Sequence, residues 1–204
     1  MTTADQQPPV LADGATADAL DRVVAGPSTW SLDAAHSSAA FRHKTIWGLV
    51  TVRGTFSDLA GRAEILPDGS ARGRVDIGAA SLNTKNAKRD THLKSADFFN
   101  AQAHPRIVVD VRRATRSGGT VNVSGDLTAA GITRPLDFTA TVLEASADAV
   151  TLRAEVEVDR ASFHMTWNQM GMLKGLATVS VVARFTRSGE TQTQTPRDAG
   201  RPVP

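Results

Sequence analysis

The chain has 204 residues and a formal net charge of +2, with 41% hydrophobic and 22% charged residues; these values are typical of one globular domain with a sizeable core. It contains no cysteine, which excludes disulfides, thiolate nucleophiles and zinc–thiolate sites. Its arginines are spread without a basic stripe, so no nucleic-acid partner is expected.

Residues 1 to 27 are rich in Ala, Asp, Gln, Pro and Thr and are predicted to form a flexible tail. The piece ATADALDRVVA has the composition of a short helix, but its apolar residues do not repeat long enough to anchor it. No basic start is followed by an apolar run, as in a secretory signal, and no segment approaches the roughly 20 apolar residues that span a bilayer. We therefore expect a cytoplasmic protein without a membrane span.

From residue 28 to residue 188, apolar residues recur with a period of two. The pattern is seen in VTVRGTF, GRVDIGA, RIVVDV, PLDFTATV, VTLRAEVEVDR and TVSVVARFT, and it is typical of strands with one dry and one wet face. The connections LPDGSARG, RSGGT, AAGITRP and ASADA have turn composition. Many strands joined by short turns predict an antiparallel barrel or sandwich. Residues 189–204 are polar and are predicted to form a second flexible tail.

The segment from residue 83 to residue 105, NTKNAKRDTHLKSADFFNAQAHP, breaks the strand pattern. Asn83 or Thr84 is a suitable N-cap for a short helix over KNAKRDTHL, and Ser95 is a suitable cap for a second turn over ADFF. Pro105 takes the chain out of helix before the next strand. Two short helical turns are therefore predicted within residues 84–100, across an end or side of the barrel.

This helical connection is interpreted as a lid. Arg89 and Asp90 are expected at the rim as an ion pair, with His92 hydrogen-bonded within the loop. Phe98 and Phe99 are expected to point in different directions, and one or both should fill apolar space.

Five segments resemble, in order, the signatures of the YceI-like family: WSLDAAHSSAAFRHK, VRGTFSDLAG, SLNTKNAKRDTHLKSADFFNAQAHPRIVV, GDLTAAGITRPL and VEVDRASFHMTW. The resemblance covers roughly residues 29 to 187. It implies an all-β, lipocalin-like antiparallel barrel whose apolar interior holds a long-chain isoprenoid lipid, either a polyprenyl phosphate or a quinone-like molecule. It implies storage, transport or protection of that lipid rather than catalysis, and no cofactor other than the lipid. Whether the barrel forms a homodimer is left open.

One position departs from the family pattern. The family usually has Phe-Gly after Asp-Arg-x-x, whereas this chain has Phe163 followed by His164. Met165 and two further methionines then surround Trp167, and methionine is a flexible side chain that suits an irregular, chain-like ligand. Packing of these residues on the barrel is an equally simple interpretation. The departure concerns the pocket shape and the head group, not the fold.

The residues expected to contact the lipid combine inward-facing strand positions with the aromatic pair and the methionine segment. They are Phe41, Phe56, Ile77, Phe98, Phe99, Ile107, Val109, Phe138, Val156, Met165, Trp167 and Val181. Arg89, Asp90 and His92 are expected at the lid or rim.

Two other classes of site were weighed. A metal site could draw on His36, His92, His104 and His164, but no pair has a short metal-binding spacing such as H-E-x-x-H, so no metal is expected. An enzyme acting on an isoprenoid or quinone-like substrate would use His92 and Asp90 as an acid–base pair. A structural ion pair beside a hydrogen-bonded histidine explains these residues with fewer assumptions.

Overall fold

The computed structural model describes residues 13–45, 49–166 and 175–188 of the chain. Within these ranges the chain forms two α-helices, α1 (Asp13–Val23) and α2 (Ala87–Lys94), and ten strands. The strands are β1 (Ser28–Leu32), β2 (Ser38–Thr45), β3 (Val50–Phe56), β4 (Leu59–Ile65), β5 (Ala71–Gly78), β6 (Arg106–Ser117), β7 (Thr120–Ala129), β8 (Ile132–Ala145), β9 (Ala149–Val158) and β10 (Ala177–Arg187). Neither helix has the length and apolar character needed to cross a membrane.

The strands pair antiparallel in one sheet that closes on itself. Its ring runs β1-β4-β5-β6-β7-β8-β9-β10, and pairing of β1 with β10 completes the circle. β2 pairs with the first half of β10, whereas β1 pairs with its second half, so β1 and β2 occupy one strand position in succession. β3 pairs with β2 and β4 with β1, so these two strands share the neighbouring position. The prediction of an all-β, antiparallel, lipocalin-like barrel is therefore confirmed.

The break between β1 and β2 is a short 3₁₀ turn with its own polar support. The Asp33 side chain accepts a hydrogen bond from the Ala35 amide at 3.1 Å, which caps the turn. The Ser37 hydroxyl donates to the Asp33 carbonyl at 2.7 Å and accepts from the Arg184 amide of β10 at 3.0 Å. The turn thus stays bonded to β10 while the chain passes from β1, beside the second half of β10, to β2, beside its first half.

The period-two pattern correctly predicts the inward side chains of β9, whereas Val50, expected on the dry face of β3, is exposed. On β9 the inward side chains line the interior, whereas Arg153, Glu155 and Glu157 are exposed. Glu155 pairs with Arg42 of β2 at 2.6 Å on the outer surface, where such a pair contributes little stability. The fold therefore depends mainly on the apolar inner face.

Helix α1 corrects the prediction that all of residues 1–27 form a flexible tail with little to bury. Leu20 and Val23 are each only 4% exposed, and Val23 packs with Trp30, Ile65 and Phe185 at one end of the barrel. Asp21 also forms an ion pair with Arg116. Val23 enters a cluster assembled by the strands β1, β4 and β10, and Leu20 faces the interior of the barrel. The predicted tails at residues 1–12 and 189–204 lie outside the described residues.

Helix α2 lies in the predicted connection, but its N-cap differs from the prediction. The Asn86 side chain accepts from the Arg89 amide at 3.0 Å, so Asn86 is the cap rather than Asn83 or Thr84. Asn83 instead forms a bridge with Thr55 of β3, through hydrogen bonds of 3.0 and 2.9 Å. The chain is thereby held against the free edge of β3 before the helix begins.

Candidate functional site: an apolar cavity between two helices

The interior of the barrel contains a cavity of about 480 Å³, within the range typical of small-molecule sites. Its wall is built mainly from the inward side chains of the strands, with Val, Ala, Leu and Phe predominating. Because apolar surface gains free energy when it leaves water, such a wall favours an apolar ligand over a polar one.

The predicted lipid-contacting residues are brought together around this cavity. The eleven that lie within the described residues all line it: Phe41, Phe56, Ile77, Phe98, Phe99, Ile107, Val109, Phe138, Val156, Met165 and Val181. Trp167 lies outside the described residues. That these side chains contact a lipid remains a prediction.

One end of the cavity is formed by α1. Leu20, Val23 and Val24 line the cavity together with Trp30 of β1, whose side chain is only 2% exposed. Arg187 lies over the Trp30 ring, 4.8 Å from its centroid. The short apolar face of α1 gives no clear signal in the sequence, because most of its partner cluster, Ile65, Ala183 and Phe185, lies far away along the chain.

The other end is formed by α2 and the residues after it. Phe98 is 8% exposed, and its ring meets the ring of His92 edge-on, with centroids 5.1 Å apart. Phe99 is half-buried and meets the Phe56 ring edge-on at 5.9 Å. Both phenylalanines line the cavity and contact different aromatic partners, so they close apolar volume in different directions.

Polar residues of α2 fix the segment through Thr84 rather than through a direct ion pair between Arg89 and Asp90. Arg89 donates from Nε to the Thr84 hydroxyl and from Nη2 to the Thr84 carbonyl, both at 2.8 Å. Asp90 accepts from the Thr84 amide at 2.9 Å and from its hydroxyl. The bond from the Thr84 hydroxyl is the main reason that the pKa of Asp90 lies below its ordinary value, while partial burial opposes the shift.

His92 is not placed in the acid–base pair with Asp90 that the enzyme alternative would require. Its Nε2 lies 3.2 Å from Oδ2 of Asp97, and Asp90 is held by Thr84 and does not line the cavity. The prediction that His92 bonds within its own loop fits this geometry. Asp90 and His92 are not paired in the structure, because Asp90 is held by Thr84 and His92 by Asp97.

The histidines considered for a metal site lie apart. His36 is exposed and sits 2.7 Å from Asp33, the ring of His104 packs against Gly131, and His164 caps a 3₁₀ turn at the surface. Across the described residues, no group of three or more His, Asp or Glu side chains is placed to hold a metal ion.

The histidine that sequence reasoning overlooked is His43. Like Phe41 two residues earlier, it lines the cavity, and it is only 7% exposed. Arg160 and Met165, from the turn after β9, line the same end of the barrel. The parity of AAFRHK, with Ala39 and Phe41 facing inward, could have indicated that His43 also faces inward.

The pKa of His43 lies below its ordinary value. Burial is the main cause because it disfavours the imidazolium, and the positive charge of Arg160 adds to the effect. The Leu176 backbone acts weakly in the opposite direction, although neither ring nitrogen has a partner of hydrogen-bonding geometry in the described part of the chain. His43 is therefore a neutral, polar group in an apolar wall.

Solved structures of similar shape show the fold class independently. BcnA of Burkholderia cenocepacia superposes with a TM-score of 0.67 at 17% identity, covering 75% of this chain and 98% of its own. A polyisoprenoid binding domain from Saccharophagus degradans, implicated in plant cell wall breakdown, gives a TM-score of 0.63 at 18% identity, covering 78% and 98%.

Sequence comparison identifies closer relatives. A UPF0312 protein of Staphylococcus aureus strain N315 is 34% identical over 113 residues, which is 54% of this chain and 63% of that protein. Protein YceI of Escherichia coli O157:H7 is 31% identical over 110 residues, 53% of this chain and 57% of its own length. The matched region thus spans about three-fifths of the length of these relatives. The YceI-like domain matches residues 30–186, and the chain belongs to the YceI-like family.

Proposed function

We propose that this protein binds a long-chain isoprenoid lipid inside its barrel, for storage, transport or protection of that lipid. The observation that carries the proposal is the apolar cavity of about 480 Å³ between α1 and α2. The solved domain from Saccharophagus degradans, described as polyisoprenoid binding, supports the same ligand class. Polyprenyl phosphates and quinone-like molecules both have such chains.

The energetics favour recognition of the chain over recognition of the head. Each buried CH₂ contributes about 0.8 kcal/mol, whereas a neutral hydrogen bond contributes a net of about 0.5–1.5 kcal/mol. A few isoprene units therefore outweigh a single polar contact. We expect affinity to rise with chain length until the cavity is filled, and a titration in which short and long prenyl chains bind equally would contradict this.

Organic extraction of the purified protein followed by mass spectrometry tests the proposal. Recovery of an intact long-chain isoprenoid supports binding, whereas a chemically altered product after incubation with that lipid supports an enzyme using the same cavity. Ala154→Phe should reduce the extracted lipid because residue 154 faces the cavity. Glu157→Phe is the matched control, since Glu157 is exposed on the outer face of the same strand. Equal lipid content in the two variants would contradict binding within the barrel.

A further inference from the structure

His43 is a buried polar group that the packing of the barrel does not explain. Its ring lines the apolar cavity and is 7% exposed, yet neither Nδ1 nor Nε2 has a hydrogen-bond partner among the residues that the structure describes. Buried polar side-chain atoms nearly always have a partner, so an exception calls for an explanation. Leaving such a group unsatisfied is unfavourable, and an apolar side chain would suit this wall better.

The surroundings of His43 define what it can recognise. Burial and the charge of Arg160 keep the ring neutral at physiological pH. A neutral imidazole offers one N–H donor and one acceptor nitrogen. Arg160, which lines the same cavity and acts on His43 through its charge, donates to the Met165 carbonyl at 2.6 Å. A neutral oxygen can accept from the ring N–H without desolvating a charge, whereas a doubly charged head group would have to lose its hydration, a cost that the single positive charge of Arg160 offsets only in part.

We propose that His43 binds the head group of the lipid through a hydrogen bond to an uncharged carbonyl or hydroxyl oxygen, while the chain extends through the cavity toward α1. This inference rests on the proposed function and deepens it by selecting a quinone-like or alcohol head over a phosphate. Arg160 is a positioning residue that helps to hold the ring neutral. The long apolar wall between His43 and the cluster around Trp30 then takes the isoprenoid chain.

The test uses the full chain and three probes that share one geranylgeranyl chain: a prenylated benzoquinone, the headless hydrocarbon and the prenyl monophosphate. Dissociation constants are measured for the wild type, His43→Leu, His43→Gln and His36→Leu. His36→Leu is the matched control because it makes the same chemical change at an exposed position outside the cavity. His43→Gln keeps a donor and an acceptor in the wall and guards against a packing artefact.

We expect the wild type to bind the quinone more tightly than the hydrocarbon. His43→Leu should weaken quinone binding about tenfold and change hydrocarbon binding by less than about twofold. His43→Gln should retain part of the preference, and His36→Leu all of it. An unchanged ratio of quinone to hydrocarbon affinity in His43→Leu would overturn the inference, and so would tighter binding of the monophosphate than of the quinone. If the wild type binds none of the probes, the proposed function itself fails.

Discussion

Leu20→Ala isolates the docking of α1 onto the barrel. Alanine has the highest helix propensity, so the substitution leaves the helix intact and removes only the packing of a side chain that is 4% exposed. Truncating a buried leucine to alanine costs about 2–5 kcal/mol, and the value depends on how far the site collapses. Because Leu20 lines an existing cavity, part of its surface has no packing partner to lose. We therefore expect about 2 kcal/mol, at the low end of that range.

The assay is urea unfolding followed by far-UV circular dichroism, with the loss read from the midpoint at a common m value. Arg22→Ala is the control on the same helix, since Arg22 is exposed and its truncation should change stability by less than about 0.5 kcal/mol. Val23→Ala should also be destabilising, because Val23 packs on Trp30. If Leu20→Ala and Val23→Ala both match Arg22→Ala, α1 does not dock and the reasoning is refuted. On the proposed function, a release of α1 should also reduce lipid retention.

Three further outcomes are expected. Phe98→Ala should cost about 3–5 kcal/mol in chemical unfolding and more than Phe99→Ala, because Phe98 is 8% exposed and Phe99 is only half-buried; the reverse order would contradict the lid geometry. His164→Gly should raise the unfolding free energy by up to about 1 kcal/mol, since His164 is exposed with φ 58°, a left-handed conformation that favours glycine; a loss of stability would point to an unseen role for the ring. The folded-state pKa of His43 is below the ordinary 6.5, so the unfolded chain binds an extra proton as the pH falls. This contribution to stability is present above pH 6.5 and is lost on acidification toward the folded pKa, by at most about 1.4 kcal/mol per pH unit. Subtracting the pH profile of His43→Leu from that of the wild type measures it, and parallel profiles would show that His43 does not titrate as described.

The inner wall of the barrel could be predicted from the sequence because a strand imposes its period on its own residues. Once Val156 and Val181 are assigned to strands whose apolar and polar residues alternate, the direction of their side chains follows from local geometry alone. The same is true of Phe138 and Ile107, and all of them line the cavity. The family signatures supplied the closure of the sheet into a barrel, which the alternation by itself left open between barrel and sandwich.

The lid was predictable in outline and wrong in detail. The composition of residues 84–100 indicated short helical turns, and α2 forms there. Asn86 rather than Thr84 is the N-cap, because Thr84 is hydrogen-bonded to the side chains of Arg89 and Asp90. Charged side chains and the helix N-terminus compete for the same few polar atoms. Which residue caps the helix therefore depends on which polar groups the edge of the barrel brings close to one another.

Tertiary structure alone decided the end of the cavity formed by α1 and the surroundings of His43. Leu20 and Val23 form too short an apolar stripe to indicate docking, and Val23 is buried because strands far apart along the chain bring Trp30, Ile65 and Phe185 into one cluster around it. His43 has the parity of an inward residue, yet its significance comes from what surrounds it: apolar side chains, the charge of Arg160 and no hydrogen-bond partner among the described residues. Sequence period encodes the direction of a side chain relative to its own strand, whereas its solvation and partners are set by residues far away along the chain.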